Sequence, residues 1–576
     1  MRYTGPNNDK AAPMPIRTVF LTLFAIASPL LGLSMLTQAA DAPSPRIVGG
    51  SPAADRWPWM AQIIIKEPSG SPSFCGASHL SPRWVLTAYH CTQYLNGDPA
   101  TADRLFVYIG ETENKLLLPP EGRITVEGIY KNQQRFDNFS FAHDLALLRI
   151  PATSNRLWPS LADDDVFNEL KNRPLSQRDE AVTALGWGQT GSGERSTVLR
   201  EVQLDFIPRE ECKQLSTLSI PDSTICAAEL NPVNGINQDT CFGDSGGPLF
   251  IGEEGNPWLI GLTSFGLQDC ATGAPAGYTH VTAEIAEVER LTTQGNAPLV
   301  DMTINGETKR YYQRINGTQA IPITLRNNSI NNTATNPAIS RSFSGSIATS
   351  ARFNWTGCST LPSVTRCTVA SSLAASASRT GNLDVTDSSG TDQLVTLTLS
   401  ASADENDYRR RNNSLIHEIA FSDNPDLALS AVQQTSSRSQ ASVAVTLSNH
   451  SPLFAATNTG ISFSLPTNTQ LLNGPELGCQ QGNPIYCPIG GLGTEQSHTL
   501  TLKFATDTGI SQLFTFKGLP TEDNNIPGDT DMQVDVTVQY KYNATVSSAA
   551  GGGSGGGASL WLGLIALVLG VRRQRN

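Results

Sequence analysis

Three side chains are of the types that together can attack an acyl carbon: His90 in Leu86-Thr87-Ala88-Tyr89-His90-Cys91, Asp144 in His143-Asp144-Leu145-Ala146-Leu147-Leu148, and Ser245 in Gly243-Asp244-Ser245-Gly246-Gly247-Pro248. A serine hydroxyl is a poor nucleophile at its own pKa. It becomes reactive when a base within hydrogen-bond reach takes its proton and a third group holds that base in place. His90 fits the base, Asp144 the holder and Ser245 the nucleophile of such an acyl transfer. Taken singly, each has a plainer reading: a His beside a Cys is usually structural, and an Asp opening an apolar run is usually a strand-edge or turn residue. It is the joint occurrence, in the order His, Asp, Ser, that favours chemistry.

The elements that must position these residues read as short strands. Runs such as Gln62-Ile63-Ile64-Ile65 and Trp84-Val85-Leu86-Thr87 alternate with Gly, Pro and Asn turns, and residues 283–291 read as a closing helix. At 576 residues the chain is too long for one core and is expected to hold about three folded units. A net charge of −12 with 16% charged residues argues against a nucleic-acid-binding surface, which needs Lys and Arg clustered on one face. The ten cysteines fall in five close sequential pairs, which points to an oxidising compartment.

Both ends fit export. Residues 1–40 hold an apolar stretch after Arg17, running to Leu36 and followed by Thr37-Gln38-Ala39-Ala40, and read as a secretory signal peptide. The polar start leaves Met14 as an alternative first residue, and a retained anchor is the competing reading. Residues 549–576 hold a Gly-rich linker at 551–557, an apolar stretch at 558–571, and the basic stop Arg572-Arg573-Gln574-Arg575. The apolar stretch is short of the ~20 residues a permanent span needs. The three parts resemble the GlyGly-CTERM sorting signal of Gram-negative bacteria, cut near its glycines by a rhombosortase. That resemblance implies transient inner-membrane attachment through the tail, and a plain tail anchor is the alternative.

Residues 47–294 resemble the chymotrypsin/trypsin-like (S1) serine proteases. The resemblance is carried by the His, Asp, Ser order, by Gly-Asp-Ser-Gly-Gly-Pro around Ser245, and by Arg46 followed at once by Ile47-Val48-Gly49-Gly50. It implies an all-β fold of two six-stranded antiparallel barrels with the triad in the cleft between them. It also implies a zymogen whose activation segment, 41–46, is removed by cutting after Arg46, so that the new α-amino group of Ile47 pairs with buried Asp244. Carried over position by position, His90 is the general base and acid, Asp144 fixes its tautomer, and the N–H groups of Gly243 and Ser245 form the oxyanion hole. Asp239 matches the acid of a pocket for basic side chains, with Gly266 and Ala276 as its walls. Ala276 departs from the usual glycine, which implies a narrowed pocket favouring Arg over Lys, unless a one-residue shift puts Gly277 there. Tyr89 also departs, standing where the family has a small residue. The family pattern further suggests the disulfides Cys75–Cys91, Cys212–Cys226 and Cys241–Cys270. Glu111 and Glu121 leave a calcium loop open, but carboxylates in a surface loop are more often solvated, so no metal and no cofactor are expected.

From residue 298 the composition shifts to Ser, Thr, Asn and Ala with strand-like alternation, as in Gln393-Leu394-Val395-Thr396-Leu397-Thr398-Leu399. A repeat lies within it. Thr324-Leu325, Asn327 and Ser329 recur as Thr446-Leu447, Asn449 and Ser451, and Ala334-Thr335-Asn336 recurs as Ala456-Thr457-Asn458. Cys358 and Cys367 answer to Cys479 and Cys487, which predicts a local disulfide in each copy. Two tandem β-sandwiches, 298–410 and 415–545, explain this and resemble Ig-like repeats of bacterial surface proteins. They are expected to be spacers, with carbohydrate binding, protein binding or a secretion cue as alternatives.

The whole resembles the extracellular serine proteases that vibrios and relatives export by type II secretion. It implies a secreted or surface-displayed endopeptidase reaching the outside through the periplasm, with signal peptidase, a rhombosortase-like protease and the type II machinery as partners. The alternative is a surface adhesion protein whose sandwiches carry the function.

Overall fold

The computed structural model describes residues 50–540, apart from 54–56, 155–156, 192, 233–236, 253–256, 268, 346–348, 508 and 520–531. The expected leader 1–40, the activation segment 41–46 with Arg46, the new terminus Ile47, and the tail 549–576 lie outside the described residues. No helix among the described residues is long and apolar enough to cross a membrane.

The first β half is one sheet of seven strands in the order Ile124–Thr125, Leu105–Ile109, Met60–Ile65, Ser73–Ser81, Trp84–Thr87, Ala146–Arg149, Gly128–Lys131. Met60–Ile65 is apolar on both faces because it serves two cores. Ile63 and Ile65 pack with Val85, Val107 and Leu148, while Met60 and Ile64 join Trp84, Leu86 and Leu147. The second of these cores also takes in Trp187, Phe250, Leu259 and Leu262 from the second half, so one apolar cluster welds the halves together.

In the second half, Val182–Gly186, Arg200–Ile207, Thr224–Ala228, Pro248–Ile251, Trp258–Phe265 and Ala276–His280 form a closed barrel of six strands. The pairing of Ile207 with Cys226 makes the closure. The expected pair of six-stranded barrels is therefore met only here. Among the described residues no pairing joins the two outer strands of the first half; buried Val126, between them in the chain, contributes a side chain to the core instead. The closing helix forms as a 3-10 turn, Thr282–Glu284, that runs into the α-helix Ile285–Gln294.

The C-terminal half contains two β modules. In the first, the sheet Met302–Asn305, Thr318–Asn327, Ser378–Asp387, Thr349–Asn354 and the sheet Arg310–Gln313, Ser414–Phe421, Gln393–Ser402, Ala338–Gly345, Arg366–Thr368 share one core. The expected boundary at 410/415 is corrected: Ser414–Phe421 pairs along its whole length with Gln393–Ser402 and belongs to the first module. The second module pairs Leu427–Ser436, Gln440–Asn449, Ser497–Thr506, Thr469–Leu471 in one sheet and Ile485–Leu492, Ala456–Phe463, Gln512–Gly518, Gln533–Val538 in the other.

The repeat has a physical basis. Buried Asn327 donates to the carbonyls of Asn332 and Leu373, both at 2.9 Å, and accepts from Ser329 N–H at 3.1 Å. Asn449 does the same, donating to Phe454 and Gly493 and accepting from Ser451 N–H. Each amide thus pins one turn against a neighbouring segment with three of its hydrogen bonds made. The left-handed positions Asn336 and Asn458, φ +47° and +49°, follow at equal offset.

The first module is docked on the preceding region by buried polar groups. Glu289, fully buried on the closing helix, accepts from Asn331 N–H at 2.6 Å, Tyr408 O–H at 2.7 Å and Ile330 N–H at 2.9 Å. Arg409 donates to the carbonyls of Leu161 and Ala162 and to Asp301. Removing the carboxylate strands two N–H groups and a hydroxyl. Glu289→Ala is therefore expected to lower stability by about 3 kcal/mol, read as an earlier urea transition of the full chain.

Candidate active site

Strand Trp84–Thr87 delivers His90 to a 3-10 turn, His90–Thr92, that the Cys75–Cys91 disulfide ties to the neighbouring strand. Tyr89 finds its space within the turn: 3% exposed, it stacks on Phe136 at 4.1 Å and lies under Lys131 Nζ at 4.3 Å. His90 donates its N–H to Asp144 Oδ1 at 2.9 Å, and its Nδ1 lies 2.7 Å from Oδ2. Asp144 has no exposed surface, and the second half supplies the rest of its shell. Ser264 Oγ donates to Oδ2 at 2.5 Å and Thr279 Oγ1 to the Asp144 carbonyl at 2.8 Å. Burial alone would push the His90 imidazolium down, but the adjoining Asp144 carboxylate outweighs it and leaves the pKa above the ordinary histidine value.

Ser245 sits on a turn pressed between two strands. Gly76 N–H donates to the Ser245 carbonyl at 2.8 Å, and Gly246 N–H to the Thr263 carbonyl at 2.7 Å. Gly246 has φ +74°, and a side chain there would come within 2.6 Å of the Gly76 carbonyl, so only glycine fits. His90, Gly243 and Ser245 line one cleft of about 620 Å³, in which Ser245 Oγ makes no hydrogen bond to His90 Nε2. Such bonds tighten only when substrate is present in many enzymes.

Asp244 points the other way. It is fully buried and accepts from Gly188 N–H at 2.7 Å and Cys241 N–H at 2.8 Å; burial pushes its pKa up to about 6. A smaller cavity of about 90 Å³ opens beside Ser245, walled by Thr240, Cys241, Ser264, Gly266 and Ala276. A Cβ added at Gly266 would lie 3.8 Å from the Ala276 methyl, whereas Gly277 is covered by the Phe265 ring. The wall residue is thus Ala276. Asp239, 8% exposed, is buried next to Thr240 of that lining. Its Oδ2 accepts from Ala271 N–H at 3.0 Å, its Oδ1 has no partner, and burial pushes it up to about 7.

All five disulfides join the expected partners: Cys75–Cys91, Cys212–Cys226, Cys241–Cys270, Cys358–Cys367 and Cys479–Cys487. In the loop left open for calcium, the Lys115 ammonium already answers Glu111 at 3.1 Å and Glu113 at 3.4 Å. The close group Cys75, His90 and Cys91 offers no metal site, because its sulfurs are bonded to each other. Sequence reasoning missed the roles of Ser264 and Thr279 on Asp144. It also missed the Phe141 ring, which meets His90 edge-on at 5.6 Å. Gly266, two residues beyond Ser264, is expected as a pocket wall, and nothing in that expectation marks the hydroxyl.

A nucleophile turn, an acid-bound imidazole and a closed barrel fused to an open sheet define a serine protease built of two β halves. The family model described as Trypsin matches residues 47–287. The chain is 31% identical over 256 residues to CLIP domain-containing serine protease B4 of Anopheles gambiae, covering 41% of this chain and 67% of that protein. It is 32% identical over 249 residues to proclotting enzyme of Tachypleus tridentatus, covering 41% and 64%, and 29% identical over 258 residues to ovochymase of Halocynthia roretzi, covering 44% and 15%. The chain belongs to the trypsin family of serine endopeptidases. It spans less than two thirds of the length of the proclotting enzyme and of ovochymase.

A methyl group at residue 188 would press on the Asp244 carboxylate. Gly188→Ala is therefore expected to disturb the turn that carries Gly243 and Ser245 and to lower kcat/KM about a hundredfold, with the disulfides and fold retained.

Proposed function

We propose that the chain is an exported serine endopeptidase, made as a zymogen cut after Arg46, that cleaves peptide bonds after basic residues. The single observation that carries the reading is the hydrogen-bonded His90–Asp144 pair facing the cleft that Ser245 and Gly243 line. Ser245 Oγ attacks the substrate carbonyl while His90 Nε2 takes its proton. The N–H groups of Gly243 and Ser245 stabilise the oxyanion, and His90 returns the proton to the leaving amine. Water then attacks the acyl-enzyme by the same route in reverse. Asp144 keeps the imidazolium paired throughout.

A buried carboxylate oxygen without a partner, Asp239 Oδ1, supports selection of Arg or Lys, whose cation would relieve its desolvation. Asp244 gains the same relief from the α-amino group of Ile47 once Arg46 is cut, which couples activation to the oxyanion turn. Export through signal peptidase and type II secretion, and sorting of the tail by a rhombosortase-like protease onto or off a Gram-negative surface, rest on the sequence of the two ends. Five disulfides support an oxidising destination.

Ser245→Ala is expected to lower peptide hydrolysis at least about ten-thousandfold and to abolish covalent labelling by a fluorophosphonate; persistent hydrolysis by the purified variant would refute the mechanism. The Ala276 methyl is expected to make kcat/KM larger for Arg than for Lys in paired peptides. Ala276→Gly should narrow that ratio, by no more than about tenfold. Equal or Lys-favouring values for the native chain would exclude this pocket shape.

A further inference from the structure

The residue before Asp144 has no part in the reaction set out above and lines neither cavity. His143 holds a left-handed backbone, φ +56°, a conformation that non-glycine residues keep only where their surroundings enforce it. Its N–H donates to Ser223 Oγ at 2.8 Å, and its carbonyl accepts from Leu145 N–H at 2.9 Å. Asp144 is thereby the middle residue of a three-residue turn. The His143 ring lies against Glu284, a carboxylate with 1% exposure, with Nδ1 2.6 Å from Oε1. Arg135 Nη2 is 2.9 Å from the same ring nitrogen, and Arg135 forks onto Glu284 at 3.0 and 3.4 Å. Glu287, paired with Arg290, stands 3.5 Å from Arg135 Nη1. When Nδ1 bears a proton it donates to Glu284; when it does not, it accepts from Arg135. The ring has a partner in either state.

Two of the holders come from the other half, while Arg135 shares the first half with His143. Ser223 and Glu284 lead into Thr224–Ala228 of the closed barrel and the closing helix, while His143 and Asp144 lead into Ala146–Arg149 of the open sheet. We propose that His143, gripped by Glu284 and Arg135, is a positioning residue for the triad: it fixes the turn that presents the Asp144 carboxylate to His90 across the junction of the halves. The inference rests on the reading of Ser245 as nucleophile. A turn free to shift would leave Ser264 and Thr279 as the second half's only hold on Asp144, and His90 would lose part of the carboxylate contact that keeps its pKa raised.

The test uses the activated full chain with active sites counted by fluorophosphonate labelling. His143→Ala is expected to lower kcat per labelled site about tenfold with KM changed less than about twofold. The acid limb of kcat/KM should move to lower pH, since an imidazolium with a weaker carboxylate contact gives up its proton more readily. His143→Asn, whose amide can still reach Glu284, should restore most of both. A wild-type kcat and acid limb in His143→Ala, or equal impairment of Ala and Asn, overturns the proposal. Should His143→Ala fail to fold, Glu284→Gln carries the test, and an unmoved acid limb there overturns it as well. A native chain that takes no label defeats the nucleophile assignment itself, an outcome distinct from failure of the clamp.

Discussion

The Asp144 carboxylate is a charge with no access to water, and a buried charge is tolerated only where every lone pair is met. Most of the architecture around the cleft follows from that requirement. Two of its hydrogen bonds come from His90 and therefore from the first half; Ser264 of the second half supplies another, and Thr279, also of the second, holds the Asp144 main-chain carbonyl. The halves cannot slide without uncovering it. The large core shared by Trp84, Trp187 and Phe250 supplies apolar cohesion between them, but the directional bonds on one carboxylate set their register. The imidazole then acquires its raised pKa as a by-product of the same arrangement.

What the sequence made legible and what it did not divide along the distance over which each feature is specified. Ser245, its glycines and Asp244 are encoded within a few residues, whereas the partners of three disulfides were legible only through the family resemblance. The Asn327 and Asn449 turns were visible as a repeat, although their reason, an amide satisfying three backbone groups, appears only when Leu373 and Gly493 are seen beside them. Barrel closure was not legible, because whether Ile124–Thr125 meets Gly128–Lys131 depends on long-range twist rather than on any residue pattern. The first module's end was misread for a related cause. Ser414–Phe421 alternates like any half-buried strand, and only its pairing with Gln393–Ser402 and Arg310–Gln313 assigns it. Ser264 and Thr279 carry no signal at all, since a hydroxyl that holds a distant residue looks like any other.

Docking of the first module changes how the C-terminal half is understood. A spacer strung on a loose linker needs no buried carboxylate at its root, yet Glu289 reaches from the closing helix into the loop at 330–332, and Tyr408 reaches back to it. Leu299 and Tyr408 belong to the core of the preceding region, not to that of the module. The first module is thus continuous with the catalytic region in both its apolar and its polar packing.

The turn that Asn327 pins is the one that meets Glu289, and its counterpart in the second module, pinned by Asn449, brings the Phe454 ring under Arg314 of the first at 4.6 Å. In both, the residue after the pinning Asn donates its N–H at 2.7 Å to the carbonyl of an Asp at the module's entrance, Asp301 or Asp426. Each unit therefore carries on its leading end the connector for the unit before it. Such a joint is generic in grammar though not in vocabulary: the seat is different each time, a carboxylate on a helix or a guanidinium just past the end of a strand, while the plug keeps its backbone. In-frame duplication or deletion of a module would therefore carry the plug along with the piece and leave only the seat to be matched.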